Sequence, residues 1–383
     1  MIARSTPMRP SYDLGQRPVV LATHRVDRWL LGALGLLVAL GLLLVLDASF
    51  FVGADMYGDP FRIARRQLGF ALVAAAEAAL LTRVRSDVLR KLAYPSLILV
   101  LLLLVAVLIP EIGQVRNGAR RWLAVGSLSF QPSELAKVAM VLYLAHSLAR
   151  KEKRMGSFSY GVLPHLIVAA VPAGLLLLEP DFGTAGLLLA LVFAMLFVGG
   201  ARLHHLLGLG LLVVPPALWL IWSSPYRWKR VLGFLDPFAD PEGKGFQLVQ
   251  SFLAFGNGGV TGVGLGAGKQ KLFWIPEGHT DFIFALLGES LGLLGAIFVL
   301  CCFGMIAFRG FSVAARSMDR FSSLLAFGIT FLLISQAVLN IAVVVGVVPT
   351  KGMPLPLLSY GGSSMLTTGL LVGILLSLSR ETR

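Results

Sequence analysis

Charge is what this chain has least of. Only 14% of its 383 residues are Asp, Glu, Lys or Arg, and 56% are hydrophobic. A soluble domain carries about 25% charged residues. An ordinary soluble globule is therefore excluded, and a single polytopic membrane domain is the natural reading. Cysteine is nearly absent. Cys301 and Cys302 are adjacent inside an apolar run, where neighbours bridge poorly and a buried thiol packs as a small hydrophobe. No disulfide framework or zinc site follows from them. Acids are outnumbered, 20 against 33 Lys and Arg, for a formal charge of +13. In a soluble protein that balance would suggest nucleic acid. Here part of it is the bias of membrane proteins toward basic cytoplasmic loops, and no nucleic-acid partner is expected. No repeat of fixed period is present.

What is there is a series of long apolar runs. They cover 29–46, 68–81, 94–109, 135–148, 162–178, 184–198, 206–222, 282–308, 322–348 and 365–378. A span needs roughly 20 apolar residues, so an all-α polytopic fold of about ten transmembrane helices is expected. The first run is too long for a signal-peptide core and no small-residue cleavage site follows it. The tail before it carries Arg4, Arg9, Arg17, Arg25 and Arg28. Alternate short loops carry Arg83, Arg85, Arg90 and Lys91, then Arg150, Lys151, Lys153 and Arg154, then Arg309, Arg316 and Arg320. All fall on one side of a ten-helix chain, which makes both termini cytoplasmic. The expected layout is a basic tail over 1–28, a membrane domain over 29–378 and a short tail over 379–383. Its largest outer loop, 223–280, lies between helices 7 and 8.

The outer side keeps cations that this bias does not explain: Arg116, Arg120, Arg121, Arg227, Lys229, Arg230, Lys244, Lys269, Lys271 and Lys351. Two readings stand, contact with anionic lipid or capture of a phosphate-bearing ligand. Asp281 is the last charge before the apolar run that begins at Phe282. A carboxylate at a helix mouth in a membrane is costly without a partner or a task. It is the best candidate for a general base. Glu277, His279 and Asp281 are metal-capable donors, but their alternate spacing is not a helical ligand face. Glu134 and Lys137 share a face at i, i+3, near a helix start for which Ser133 is the expected cap. They are either a buried ion pair or the lining of a polar cavity that positions the Asp281 region.

Asp181 is expected to cap the helix after Glu179-Pro180. The segment 246–255, with Gln250, is amphipathic and either lies on the membrane or covers the bundle. Glycines 256, 258, 259, 262, 264, 266 and 268 lack a Walker pattern, so they serve close approach to a ligand or a helix rather than nucleotide binding. The prolines of 349–356 forbid a regular helix. Irregular backbone at membrane depth must line a cavity or be packed in protein. The helix start at Ser363-Ser364 can receive an anion.

These residues carry a resemblance. RRWL, QPSELAK, PDFGTA, GLGAGKQKLFWIPEGHTDFIFALLGESLG and PLPLLSYGGSS occur in the order found in the SEDS family (shape, elongation, division and sporulation), which includes RodA and FtsW. The match spans nearly the whole chain beyond the tail. QKL and PTKG look closest to the FtsW branch, while the Met-Pro pair of GMPLP is similar to RodA-like members. The resemblance implies a ten-helix peptidoglycan glycosyltransferase of the cytoplasmic membrane, serving division or elongation. Its implied substrate is lipid II, a disaccharide-pentapeptide on undecaprenyl diphosphate. The acceptor 4-hydroxyl attacks the anomeric carbon with inversion. Asp281 matches the essential aspartate of the family, as base or metal-assisting carboxylate, and Glu134 with Lys137 match its buried pair.

Candidate contacts to diphosphate or sugar are Arg120, Arg121, Trp122, Gln131, Ser133, Asp181, Gln250, Lys269, Gln270, Lys271, Glu277, His279, Lys351, Ser359, Tyr360, Gly361, Gly362, Ser363 and Ser364. Implied partners are a class B penicillin-binding transpeptidase and other divisome or elongasome membrane proteins. A divalent cation, magnesium or manganese, is the implied cofactor. The competing readings are a lipid II flippase or transporter and a non-catalytic scaffold for a transpeptidase.

Overall fold

The computed structural model describes residues 26–116, 118–126, 128–268 and 278–382. Twelve helices dominate the described residues. Helices α1 (Arg28–Tyr57), α2 (Arg62–Leu81) and α3 (Ser86–Leu108) come first. A three-stranded antiparallel sheet follows, with β1 (Gly113–Arg116), β2 (Ala119–Val125) and β3 (Leu128–Phe130) in that order. Then come α4 (Pro132–Arg150), α5 (Leu163–Leu178), α6 (Phe182–Val198) and α7 (Leu203–Trp222). The stretch that follows α7 contributes α8 (Pro225–Leu235) and α9 (Phe246–Gly258). The chain closes with α10 (Ile283–Arg316), α11 (Arg320–Val344) and α12 (Gly362–Glu381). The helical architecture expected from composition is present. The sheet within 110–133 was not anticipated, because its strands are short and mixed in polarity.

Among the described residues seven helices are long and apolar enough to cross a membrane: α1, α3, the stretch Phe158–Leu178 that contains α5, α7, α10, α11 and α12. The apolar α6 is shorter. Helices α2 and α4 are 20 and 19 residues long but carry charges. Helix α4 is largely buried, against α3 and α11, while α2 packs one face on α12 and α1.

One end of the bundle is tied by arginines. Asp27 caps α1 through its Oδ1 and pairs with Arg309. Arg90 meets Asp319 at 2.7 Å. Arg320 donates to the Val198 carbonyl and Arg380 to that of Thr82. Arg320 and Arg380 thereby close the ends of α6 and α2, whose orphan carbonyls need donors. The Asp319 carboxyl is held below the usual range; burial opposes this, but bonds from Arg90 and from the Ser322 amide and hydroxyl outweigh it.

Helix α10 is broken at Gly292, which sits at φ 64°. The segment 259–264 lies along the break and supplies what the helix lacks. Leu293 N–H donates to the Gly259 carbonyl and Leu294 N–H to Val260, while Val263 and Gly264 donate to the carbonyls of Glu289 and Ser290. A broken helix is tolerated in a membrane only when its freed groups are satisfied in this way. The glycines therefore serve close approach to a helix. A β-carbon at Gly292 would stand 2.6 Å from the Val260 carbonyl oxygen. The segment 246–255 covers the bundle: α9 packs on α10, its Ser251 hydroxyl donates to the Val344 carbonyl at 2.7 Å, and Gln250 is buried in it.

Gly292→Val is expected to lower the midpoint of thermal unfolding in detergent by several degrees, since a β-branched residue at positive φ and a backbone clash together cost on the order of 3 kcal/mol. Gly304→Ala in the same helix, where a β-carbon meets nothing within 4 Å, is expected to leave the midpoint within a degree or two.

Candidate active site

The site forms where the start of α4, the second half of α11, the turn before α10 and the irregular segment 349–361 meet. Pro132 takes the first position of α4, since its missing N–H is one of the helix orphans. That moves the cap back to Gln131 and corrects the expectation that Ser133 is the cap. Ser133 lies inside the first turn, buried, with its hydroxyl unpartnered among the described residues. The Gln131 N–H instead donates to Ser363 Oγ at 3.1 Å.

Glu134 and Lys137, 5% and 3% exposed, form an ion pair at 2.9 Å. Lys137 also donates to Gln336 Oε1 at 2.7 Å, and Gln336 Nε2 donates to the Pro354 carbonyl at 3.0 Å. Asn340 is one helical turn further along α11. Its amide donates to the carbonyls of Met353, at 2.6 Å, and Asp281, at 2.8 Å. From the α2 side, Gln67 donates to the Ser359 carbonyl at 3.1 Å and accepts from the Gly361 N–H at 3.2 Å. Ser359 Oγ accepts from Leu355 N–H at 2.8 Å. The Tyr360 N–H donates to the His279 carbonyl at 2.9 Å, with the two rings 5.6 Å apart.

These bonds settle where the backbone groups of a proline-broken segment go once it is buried. They also join the Glu134–Lys137 pair to the Asp281 turn through α11. The Asp281 carboxylate, half-buried, rests against Gly352: a β-carbon there would stand 2.9 Å from Asp281 Oδ2. Gly362 is similarly required, since a β-carbon would meet the Phe70 ring at 2.6 Å. Ser364 follows in the first turn of α12.

Around this centre lies a charged rim. Asp181 caps α6 as expected, accepting from Thr184 N–H at 3.1 Å. Burial holds the Lys351 ammonium below its usual pKa, and the neighbouring Asp181 opposes that. Its side chain runs 3.7 Å from the point where a β-carbon of Gly183 would be. Arg121 donates to the carbonyls of Glu179 and Pro180 at 2.9 and 2.6 Å, and Arg120 to that of Leu108 at 3.2 Å. These two arginines thus brace backbone, with part of their five-donor forks left over. Trp122 stands beside them on β2, paired with Gln114 of β1. Arg230 donates to the Thr350 carbonyl and Arg227 covers the Phe182 ring, which fixes α8 over the rim. Gln250 is in α9, among α10 and the end of α11, rather than in this rim. Lys269, Gln270, Lys271 and Glu277 lie outside the described residues.

Sequence reading missed Gln67, Gln336, Asn340 and Glu179. The available signal was an amide or carboxylate interrupting an apolar run. Glu179 is 0% exposed, and both its carboxylate oxygens are unpartnered among the described residues. Burial, with Asp181 adding to it and Arg121 opposing, pushes its pKa up to about 8.

With this geometry in view, the comparisons with known proteins decide the family. The model described as "Cell cycle protein", FTSW_RODA_SPOVE, matches residues 27–383. The chain belongs to the FtsW/RodA/SpoVE family. It is 43% identical to the probable peptidoglycan glycosyltransferase FtsW of Trichlorobacter lovleyi, over 96% of each chain. It is 40% identical to the stage V sporulation protein E of Bacillus subtilis, over 91% of this chain and 95% of that one. Among solved structures it resembles a chain from "Structural coordination of polymerization and crosslinking by a peptidoglycan synthase complex". The TM-score is 0.75 and the identity 34%, over 93% of this chain and 98% of that one. The rod shape determining protein RodA of Thermus thermophilus gives a TM-score of 0.69 and 30% identity, over 95% and 99%.

Two outcomes follow for this FtsW/RodA/SpoVE site. Lys137→Met, which strands a buried carboxylate, is expected to destabilise by about 3–5 kcal/mol. The double variant Glu134→Gln/Lys137→Met should recover much of that in the same thermal melt. Glu179 is neutral in the folded protein up to about pH 8, whereas its ordinary pKa is 4.5. Its contribution to stability is therefore whole below pH 4.5 and is lost as pH rises to about 8. Glu179→Gln should flatten that decline in melts taken across this range.

Proposed function

We propose that Asp281 is the base of an inverting glycosyl transfer on a lipid-linked sugar diphosphate, lipid II, carried out at the outer membrane face. The chain is a peptidoglycan glycosyltransferase of the FtsW/RodA/SpoVE family. The observation that carries the assignment is the pinned turn. Asn340 fixes the Asp281 backbone, and Gly352 lets the carboxylate lie against the segment that holds Lys351. In the proposed step the acceptor 4-hydroxyl gives its proton to the Asp281 carboxylate. Its oxygen bonds to the donor anomeric carbon, and the bond from that carbon to the lipid diphosphate breaks on the opposite face. A positioned carboxylate contributes typically 10²–10⁴-fold as a general base. Lys351, next in sequence to the Gly352 on which this carboxylate rests and a charge neighbour of Asp181, is assigned to the charge that grows on the departing diphosphate.

A divalent cation belongs to the same proposal. Among the described residues no three His, Cys, Asp or Glu side chains converge as a ligand set. Magnesium needs only one or two carboxylates when substrate phosphates complete its shell. Asp281 meets that smaller requirement, and a cation held there would neutralise diphosphate oxygens.

For topology we propose ten spans, the seven apolar helices with α2, α4 and α6, and the arginine-tied end in the cytoplasm with both termini. A class B transpeptidase partner and a septal location complete the reading. Support comes from the relative that is part of a peptidoglycan synthase complex and from relatives named FtsW. The flippase reading draws on the broken α10, a feature shared with transporters.

The test is polymerisation of lipid II by the purified protein with its transpeptidase partner and magnesium or manganese. Asp281→Asn is expected to reduce glycan polymer at least 100-fold while its thermal melt stays near that of wild type. Equal polymer from both would remove Asp281 as base. No polymer from either, with lipid II crossing liposomes, would favour the flippase.

A further inference from the structure

We propose that the cavity between the α4–α5 connection and the α6–α7 turn binds the phosphodiester headgroup of an anionic lipid in the leaflet at the arginine-tied end. The inference rests on the membrane-embedded reading and on no step of the transfer chemistry. The cavity, of about 800 Å³, is lined by Lys153, Arg154, Gly156, Ser157, Tyr160 and Arg202. Three cations thus face one space with two hydroxyl donors, a set suited to phosphate oxygens. Lys153, Arg154 and Arg202 have no carboxylate partner among the described residues. The nearby Glu152 is turned to Arg320 at 3.4 Å.

The bias toward basic cytoplasmic loops accounts for the number of these charges. It does not account for their being built into a folded platform. Met155, 1% exposed, plugs the connection into the core. Gly161 packs on the Arg154 carbonyl, where a β-carbon would come within 2.6 Å. The Arg154 carbonyl also accepts from Ser157 N–H, and the Ser157 carbonyl from Gly161 N–H. The His165 ring bridges the Gly161 carbonyl and Ser147 Oγ, at 2.5 and 2.9 Å. Gly156 leaves room for the Arg202 guanidinium, 3.5 Å from where its β-carbon would be. With the backbone of the connection fixed, binding has to order only the exposed side chains it carries.

The rim favours a lipid over a soluble phosphate. Tyr160 is 67% exposed and Leu203 58% exposed, with Leu207 beside them on α7 and Phe158 on the turn before α5. These surfaces suit acyl chains, while the cavity takes the charge. Basic pockets between helices at the cytoplasmic surface are a recognised setting for anionic headgroups.

The test uses purified full-length protein in neutral detergent, titrated with phosphatidylglycerol or with phosphatidylcholine of the same chains. Thermal shift and native mass spectrometry report binding. Phosphatidylglycerol is expected to bind and to raise the melting temperature, and phosphatidylcholine to do so at least about 10-fold more weakly. Lys153→Gln/Arg154→Gln/Arg202→Gln should weaken phosphatidylglycerol binding about 10-fold or more, as expected when charge-assisted contacts are lost. Arg83→Gln/Arg85→Gln/Lys91→Gln, at the same end but away from the cavity, should bind as wild type does. If the cavity triple does not fold, Arg202→Gln alone carries the test, with binding weakened about 3-fold or more.

Equal binding of the two lipids, or equal loss in both triple variants, would overturn the proposal. So would displacement of phosphatidylglycerol by inorganic phosphate or glycerol 3-phosphate at matching concentration, which would mark a soluble phosphate site. Asp281→Asn should bind phosphatidylglycerol like wild type, so a failed transferase reading would not be mistaken for a failed lipid site.

Discussion

The structure depends on the burial of an irregular backbone segment, 349–361, inside a helical bundle. Prolines at 349, 354 and 356 prevent that segment from satisfying itself as a helix. Each buried carbonyl or N–H left without a partner costs about 1–3 kcal/mol. Three amide side chains from neighbouring helices, Gln67, Gln336 and Asn340, meet that demand. The Asn340 amide also holds the Asp281 backbone. The bonds that make the segment tolerable therefore also set the position of the carboxylate. Lys137 ties the same network to α4, which explains why a charged pair persists where packed apolar side chains would be no less stable.

The same constraint appears a second time in α10. Its break at Gly292 frees backbone groups that the glycine-rich segment 259–264 takes up. Asp47 of α1 receives the Gly266 N–H and the Ser290 hydroxyl, and Glu289 is buried beneath Gly268. In both places the backbone groups freed by irregular geometry bond to protein partners. The arginine-tied end is built differently, with arginines closing helix ends through carbonyls and carboxylates. One end is held by arginine contacts, and the other by side-chain amides that take up irregular backbone.

Much of this was legible in the sequence because membrane burial leaves a strong signal. The apolar runs located the helices, and the i, i+3 spacing of Glu134 and Lys137 predicted a pair that is present at 2.9 Å. Asp181 was read as a cap and is one. Other features were hidden for physical reasons. Ser133 matched the residue type of a cap, but Pro132 fixes the helix start one position earlier. Arg120 and Arg121 looked like free outer cations, yet their partners are carbonyls 12 and 58 residues away, which no local pattern reveals. Gln336 and Asn340 belong to a mostly apolar helix, and their importance follows from a segment that only tertiary structure brings near. Strands β1 and β3 have only four and three residues, and β2, of seven, does not alternate strictly between apolar and polar.

The central claim is that this buried amide network holds the Asp281 turn in reacting geometry. The most direct measurement is the steady-state rate of lipid II polymerisation by Asn340→Ala beside wild type, with thermal melts on both. A displacement of the turn by about 1 Å can cost 10²-fold in rate. The account predicts a fall in kcat of that order, with KM changed by no more than a few fold and the protein still folded. A folded Asn340→Ala protein with the kcat of wild type would contradict it.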